Sequence, residues 1–272
     1  MEDEVVRLCQ ELIRIDTSNP GDHSGPGERV AAEYVAERLA EVGVEAQVFE
    51  SHPKRTSLVA RIEGEDRSRD ALLLHGHLDV VPARKEDWTR DPFGGEIADG
   101  CVWGRGAVDM KDMDAMILAV VRQRMREGRK PPRDVVLAFL ADEEAGGSGG
   151  PVARPGASGA VRGVHGGRGG GRGFSLTVPG DRRMYLIETA EKGIAWMNLR
   201  ASGTAGHGSM VHPDNAVTAV AEAVARLGRH EFPVQMTKTV RAFLERACMA
   251  YGVEFDPGSR RSASRRSGRS PG

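Results

Sequence analysis

Three short segments hold residues whose types and spacing could do chemistry. LLLHGHLDVVP (72–82) places His75, His77 and Asp79 where an apolar run ends. WGRGAVDMKD (103–112) places Asp109 after a Gly-Arg-Gly turn. LAFLADEEAGG (137–147) places Asp142, Glu143 and Glu144 after a second apolar run. Imidazole and carboxylate are ligands for zinc and similar ions. His77 supplies nitrogen, and Asp79, two residues on, could orient that imidazole from behind. Asp109 has two oxygens and could bridge two ions. Adjacent Glu143 and Glu144 point differently, so one can bind metal while the other acts as a base on water. Adjacency alone does not decide which does which. Each segment also has a simpler reading: an incidental His pair, a helix-capping Asp, a solvated acidic turn. The three in this order weigh far more than any one.

The flanking sequence must position them. EVVRLCQELIRI (4–15) and ERVAAEYVAERLAEVG (28–43) carry apolar stripes at helical spacing, the second stopping at Gly43. AQVFE (46–50) and SLVARIEG (57–64) read as strands. ALLLHGH (71–77) and Val135–Leu140 are continuous apolar runs, as expected of buried strands. Between them Met113, Met116, Ile117, Val120 and Val121 mark a helix ending near Gly128. This alternation predicts an α/β sheet with helices on its faces. In such sheets ligands bind beyond the carboxyl ends of the strands, where all three segments fall. Farther on, residues 183–203 read as two strands joined near Glu191–Gly193, and residues 212–228 as a helix. A domain boundary is expected near Ile187–Gly193.

Composition narrows the class. The chain has 272 residues and a formal charge of −1. Near-neutrality argues against a nucleic-acid footprint. No apolar run is long enough for a membrane span, and the acidic amphipathic N-terminus is unlike a signal peptide. Cys9, Cys101 and Cys248 are far apart and form neither a disulfide framework nor a CxxC site. A cytoplasmic protein with reduced thiols is expected. The averages hide two unusual stretches. From Gly146 to Gly173, 13 of 28 residues are Gly. The last fifteen residues contain five Arg, five Ser and no large apolar side chain. Neither can bury enough surface to offset its ordering entropy. Without the nine Arg of these two stretches the charge is −10.

HGHLDVVP, GRGAVDMKD and DEEAGG, in this order and spacing, resemble the zinc metallopeptidases and amidohydrolases of family twenty. That family includes aminoacylase, acetylornithine deacetylase, succinyl-diaminopimelate desuccinylase and carboxypeptidase G-like enzymes. GTAGHGSMVHPDNAV (203–217) resembles the segment where the family's smaller lid domain begins. The resemblance covers residues 4–146 and 174–256. It implies a zinc-exopeptidase-like catalytic domain, incomplete here, with a twisted mixed sheet and helices on both faces. The start of a smaller α+β lid follows. The expected organisation is a catalytic domain over 1–190 with an aberrant Gly-rich stretch at 145–173, a partial lid and dimerisation domain over 191–257, and a disordered tail over 258–272.

The resemblance implies a two-zinc site, with Co2+ or Mn2+ as substitutes. His77 would bind one ion, Glu144 the other, and Asp109 would bridge both. Glu143 would be the general base acting on water between the ions, and Asp79 would orient His77. His207 resembles the lid histidine that, in dimeric members, reaches the partner subunit's site. The implied substrates are N-acyl amino acids or small peptides, and a homodimer through the lid is implied as well. No nucleic-acid or membrane partner is expected.

The sequence departs from the family in two places. A further acidic ligand is expected in GVHGGRGGGRGFSLTVPG (163–180), which contains no acid; His165 is its nearest ligand-type side chain. A second missing ligand is a histidine beyond the lid. Arg outnumbers Lys 32 to 6, which points to GC-rich coding DNA. Frame errors over about 147–172 and after Pro257 would account for both departures. An inactive relic of the same fold is therefore one alternative, and an Arg/Gly-rich nucleic-acid binder a remote one. The Gly-rich stretch is expected to leave the neighbouring strand edge uncovered and the chain poorly soluble.

Overall fold

The computed structural model describes residues 2–22, 24–146, 164–169 (backbone), 175–186 and 197–256. The chain forms two compact units, up to Gly173 and from Phe174. The expected boundary near Ile187–Gly193, most of the Gly-rich stretch and the Arg/Ser tail lie outside the described residues.

The first unit is mixed α/β. It runs α1 (Glu2–Arg14), α2 (Arg29–Ala40), β1 (Ala46–His52), β2 (Arg55–Ile62) and β3 (Ala71–His77). A short hairpin of β4 (Glu96–Ala98) and β5 (Cys101–Trp103) follows. Then come α3 (Lys111–Arg126), β6 (Val135–Leu140) and β7 (Val164–Gly169). The sheet order is β1-β2-β6-β3-β7. The first two pairings are antiparallel and the last two parallel. The expected helices and strands are present with ends moved by a few residues. Gly43 and Gly128, expected to stop helices, lie just past α2 and α3 at φ +76° and +65°, where only Gly is unstrained.

Leu8, Leu12 and Ile13 of α1, Val35 and Leu39 of α2, and Leu118 of α3 are fully buried. They pack with Leu58, Leu137 and Phe139 on one face of the sheet. Each such side chain contributes ~1.5–3 kcal/mol of transfer free energy. Val59, Ala71, Val136 and Ala138 form a smaller cluster on the other face.

One expectation is corrected. The exposed edge of β3 was expected to be bare, yet β7 pairs with it in parallel, Ala71 opposite Val164 and His75 opposite Gly169. A ladder needs only backbone donors and acceptors, so a glycine-rich strand can close the edge that its composition seemed to leave open.

The second unit holds the hairpin β8 (Ser175–Val178) and β9 (Arg182–Tyr185), then α4 (Ala216–Arg229) and α5 (Lys238–Tyr251). Here a second correction applies. Residues 197–203, expected in the second of two strands, form no strand, while the expected turn near Glu191–Gly193 lies outside the described residues; a hairpin that was not expected lies just upstream. The turn chemistry explains the choice: Gly180 and Asp181 take positive φ values of +81° and +53°, the backbone twist that tight hairpins favour. Asn215 caps α4, accepting from the amides of Val217 and Thr218. Thr237 caps α5 and accepts from Val240, while Gly252 ends it at φ +66°. Helix α5 was not expected from the sequence, although its Thr cap and terminal Gly are both legible there.

Candidate metal centre

The central fact is register. Strands β3 and β6 run parallel with His77 opposite Leu140, so their carboxyl ends are level. The loop after β3 carries Asp79 and the loop after β6 carries Asp142, Glu143 and Glu144. The approach to α3 brings Asp109 to the same place.

His77 is buried, with 7% of its surface exposed. Its Nε2 is 3.2 Å from Asp109 Oδ1 and 3.7 Å from Glu143 Oε2. Its Nδ1 is 3.0 Å from the Asp79 carbonyl and 3.5 Å from Asp79 Oδ1. Burial alone would lower the His77 pKa. The hydrogen bond and charge of Asp79, joined by the Glu143 charge, instead push it up to about 9. Asp109 does not cap α3: Met110 holds that position and no side-chain cap forms. Its carboxylate turns to His77 instead.

Asp79 is fully buried and organises the loop after β6. Its two oxygens accept the amides of Glu143 at 3.1 Å and Glu144 at 3.0 Å. Burial opposes its charge, but donors from His77, Asn19 and Glu144 hold its pKa below the usual value. Asn19 donates to Asp79 Oδ2 at 2.8 Å and to Asp142 Oδ1 at 3.0 Å. Asp142 lies at φ +67°, a left-handed turn that Asp tolerates better than most residues. This turn aims the next two amides at Asp79. Glu144 is half-buried, and burial raises its pKa; Glu143 is exposed at the mouth.

His77, Glu143 and Glu144 offer ligand atoms within 4.8 Å of one another, among the described residues. With Asp109 against the imidazole, one histidine faces an excess of carboxylates. One nitrogen donor with several oxygens suits zinc and related divalent ions, and the gathered negative charge favours a cation there. The residues fit a metal.

Several supporting residues were not singled out in the sequence. Asn19 is one. Lys111 is another: fully buried, it donates from Nζ to the carbonyls of Leu12 at 2.9 Å and Ile15 at 2.7 Å. It thereby caps α1 and anchors the Asp109 loop, and burial lowers its pKa to about 8. Arg55 and Glu28 form a fully buried ion pair, with Arg55 Nε 3.9 Å from Asp142 Oδ1. Only tertiary contacts reveal these roles. His75 is half-buried, and burial lowers its pKa with help from His77; it does not join the ligand cluster. The side chain of His165 lies outside the described residues. His207 belongs to the second unit, exposed in the loop before α4, with Nδ1 2.9 Å from Ser209 Oγ.

Among the described residues, no helix is long and apolar enough to cross a membrane. Aminoacylase-1 of Sus scrofa is 33% identical over 217 residues, covering 78% of this chain and 50% of the relative. Aminoacylase-1 of Homo sapiens is 30% identical over the same shares. Human carnosine dipeptidase 1 matches in structure at 24% identity with a TM-score of 0.45, over 54% of this chain and 33% of that one. A metallo-carboxypeptidase from Sulfolobus solfataricus matches at 24% identity with a TM-score of 0.47, over 53% and 32%. The chain spans about half the length of the curated relatives it matches. Residues 73–266 match peptidase family M20/M25/M40, including all three acidic and histidine segments of the site, and the chain belongs to that family.

Proposed function

We propose that the protein is a metal-dependent hydrolase of amide bonds in N-acyl amino acids or small peptides. The observation that carries this reading is the level register of β3 and β6, which gathers His77, Glu143 and Glu144 beside Asp109. His77 and Glu144 would each hold an ion, zinc by preference, with Asp109 shared between them. When bound, the metal supplies Lewis acidity toward the scissile carbonyl and acidifies water. Asp79 holds the imidazole so that Nε2 faces the ligand cluster. Glu143, at the open mouth, takes a proton from the attacking water and returns one to the departing amine nitrogen. The aminoacylase relatives support an acyl amino acid substrate.

Residues 191–257 are proposed as part of a smaller lid that also dimerises. Val217, Val224 and Leu227 leave an apolar face of α4 exposed, which supports a partner there. His207 would then act at the partner subunit's site. A cytoplasmic location completes the proposal.

The test is hydrolysis of a panel of N-acetyl amino acids and dipeptides by the zinc-loaded chain. Chelation should abolish turnover. Glu143→Ala should abolish it while leaving metal bound. Turnover that survives either change would overturn the proposal. The lack of any acid in residues 163–180 favours a second reading, a metal-binding fold without turnover. Two tightly bound ions per chain favour the enzyme over it.

A further inference from the structure

At the opposite end of the sheet from the metal centre lies a cavity of about 300 Å³. Leu72 and Leu74 of β3, Val120 and Met125 of α3, and Pro131 give it an apolar lining. Leu74 and Leu72 precede His77 by three and five residues on one strand, so the lining lies roughly 10–17 Å from it along the strand. Val120 is 45% exposed at the opening, an apolar side chain left facing solvent.

The charged residues that line the cavity are all basic. Arg124, Arg129 and Arg133 all border the cavity. Arg133 Nη1 donates to the Asp70 carbonyl at 3.2 Å, which fixes its guanidinium without neutralising it. Arg129 Nε lies 3.3 Å from Glu127 Oε2 in an exposed pair, which is weak and readily exchanged. The Arg124 side chain makes no ion pair or hydrogen bond among the described residues. An apolar cavity of this size with a few convergent polar groups has the form of a small-molecule site. Arginines bordering an apolar cavity favour an occupant with an anionic head such as a carboxylate.

We infer that this cavity binds a medium-chain carboxylate, its alkyl chain between α3 and β3 and its anionic head at Arg124 and Arg129. Such an occupant buries the exposed Val120 and the half-buried Leu72 and gives Arg124 a counter-ion. The site shares no residue with the metal centre, so the inference stands apart from the proposed hydrolysis.

Calorimetric titration of the full chain with decanoate tests it, with decanol as the uncharged probe and Arg124→Gln/Arg129→Gln as the variant. Both arginines are on the surface, and an unchanged circular dichroism melt confirms that the variant folds. Saturable one-to-one decanoate binding is expected, weakened about tenfold in the variant, with decanol binding far more weakly to the parent. No saturable binding, equal affinity for decanol, or equal decanoate affinity in the variant would each overturn the inference.

Discussion

Asp79 and Glu143 are 64 residues apart, yet the Glu143 amide donates to Asp79 Oδ1 at 3.1 Å. The same oxygen lies 3.5 Å from His77 Nδ1. One carboxylate therefore touches both the ring of the histidine and the turn that presents the two glutamates. Asp79→Asn removes the charge and offers an amide nitrogen where acceptors are needed. Zinc affinity should fall about 10–100-fold, and urea denaturation should show a loss of about 2 kcal/mol. Unchanged affinity would show that Asp79 does not orient His77.

The Glu28–Arg55 pair lies directly behind the Asp142 turn. Burial raises the Glu28 pKa even beside Arg55. Arg55 Nε and Nη2 find no hydrogen-bond partner among the described residues. A pair so dry costs nearly as much to desolvate as it returns. Glu28→Gln alone strands a buried cation and should cost ~3–5 kcal/mol. Glu28→Leu with Arg55→Met should cost much less than either change alone. Urea denaturation of Glu28→Gln, Glu28→Leu, Arg55→Met and the double variant measures this, and additive losses in the last three would refute it.

The acid limb of stability should depend on Glu4. Its hydrogen bond from Arg126 outweighs burial and, with Arg122, lowers its pKa from 4.5 to about 2. A lowered folded-state pKa gives stability that is full above pH 4.5 and lost as pH falls toward 2. Arg126 is half exposed, so screening holds the contribution to about 1 kcal/mol. Glu4→Gln should flatten the fall in stability between these pH values, measured by urea denaturation at each pH. A limb as steep as the parent's would count against it.

Gly76 lies between the two histidines of β3. A Cβ there would meet Asp114 Oδ1 at 2.1 Å. Asp114 is fully buried on α3, so it cannot swing away. Gly76→Ala should destabilise by ~1–3 kcal/mol and weaken zinc binding through His77. A parental melting temperature and affinity would show that α3 yields at no cost.

Much of this was legible in the sequence for a physical reason. Val135–Leu140 and ALLLHGH are apolar on both faces because both faces are covered, and their polar ends mark the crevice. The positions of His77, Asp109 and Glu143 followed from that. The Asn19 bridge, the Lys111 cap and the Glu28–Arg55 pair did not, because each joins residues far apart in sequence. Strand β7 was missed because glycine carries no periodic side-chain signal, while its ladder uses backbone alone. The β8–β9 hairpin was not singled out in the sequence, although the Gly180–Asp181 pair that turns it is a legible turn signal.

The most direct test is zinc titration of the chelator-stripped chain by isothermal calorimetry, beside His77→Ala and Glu143→Ala. Tight binding by the parent should be lost in His77→Ala and retained in Glu143→Ala. Equal binding by the parent and His77→Ala would contradict a metal centre at the ends of β3 and β6.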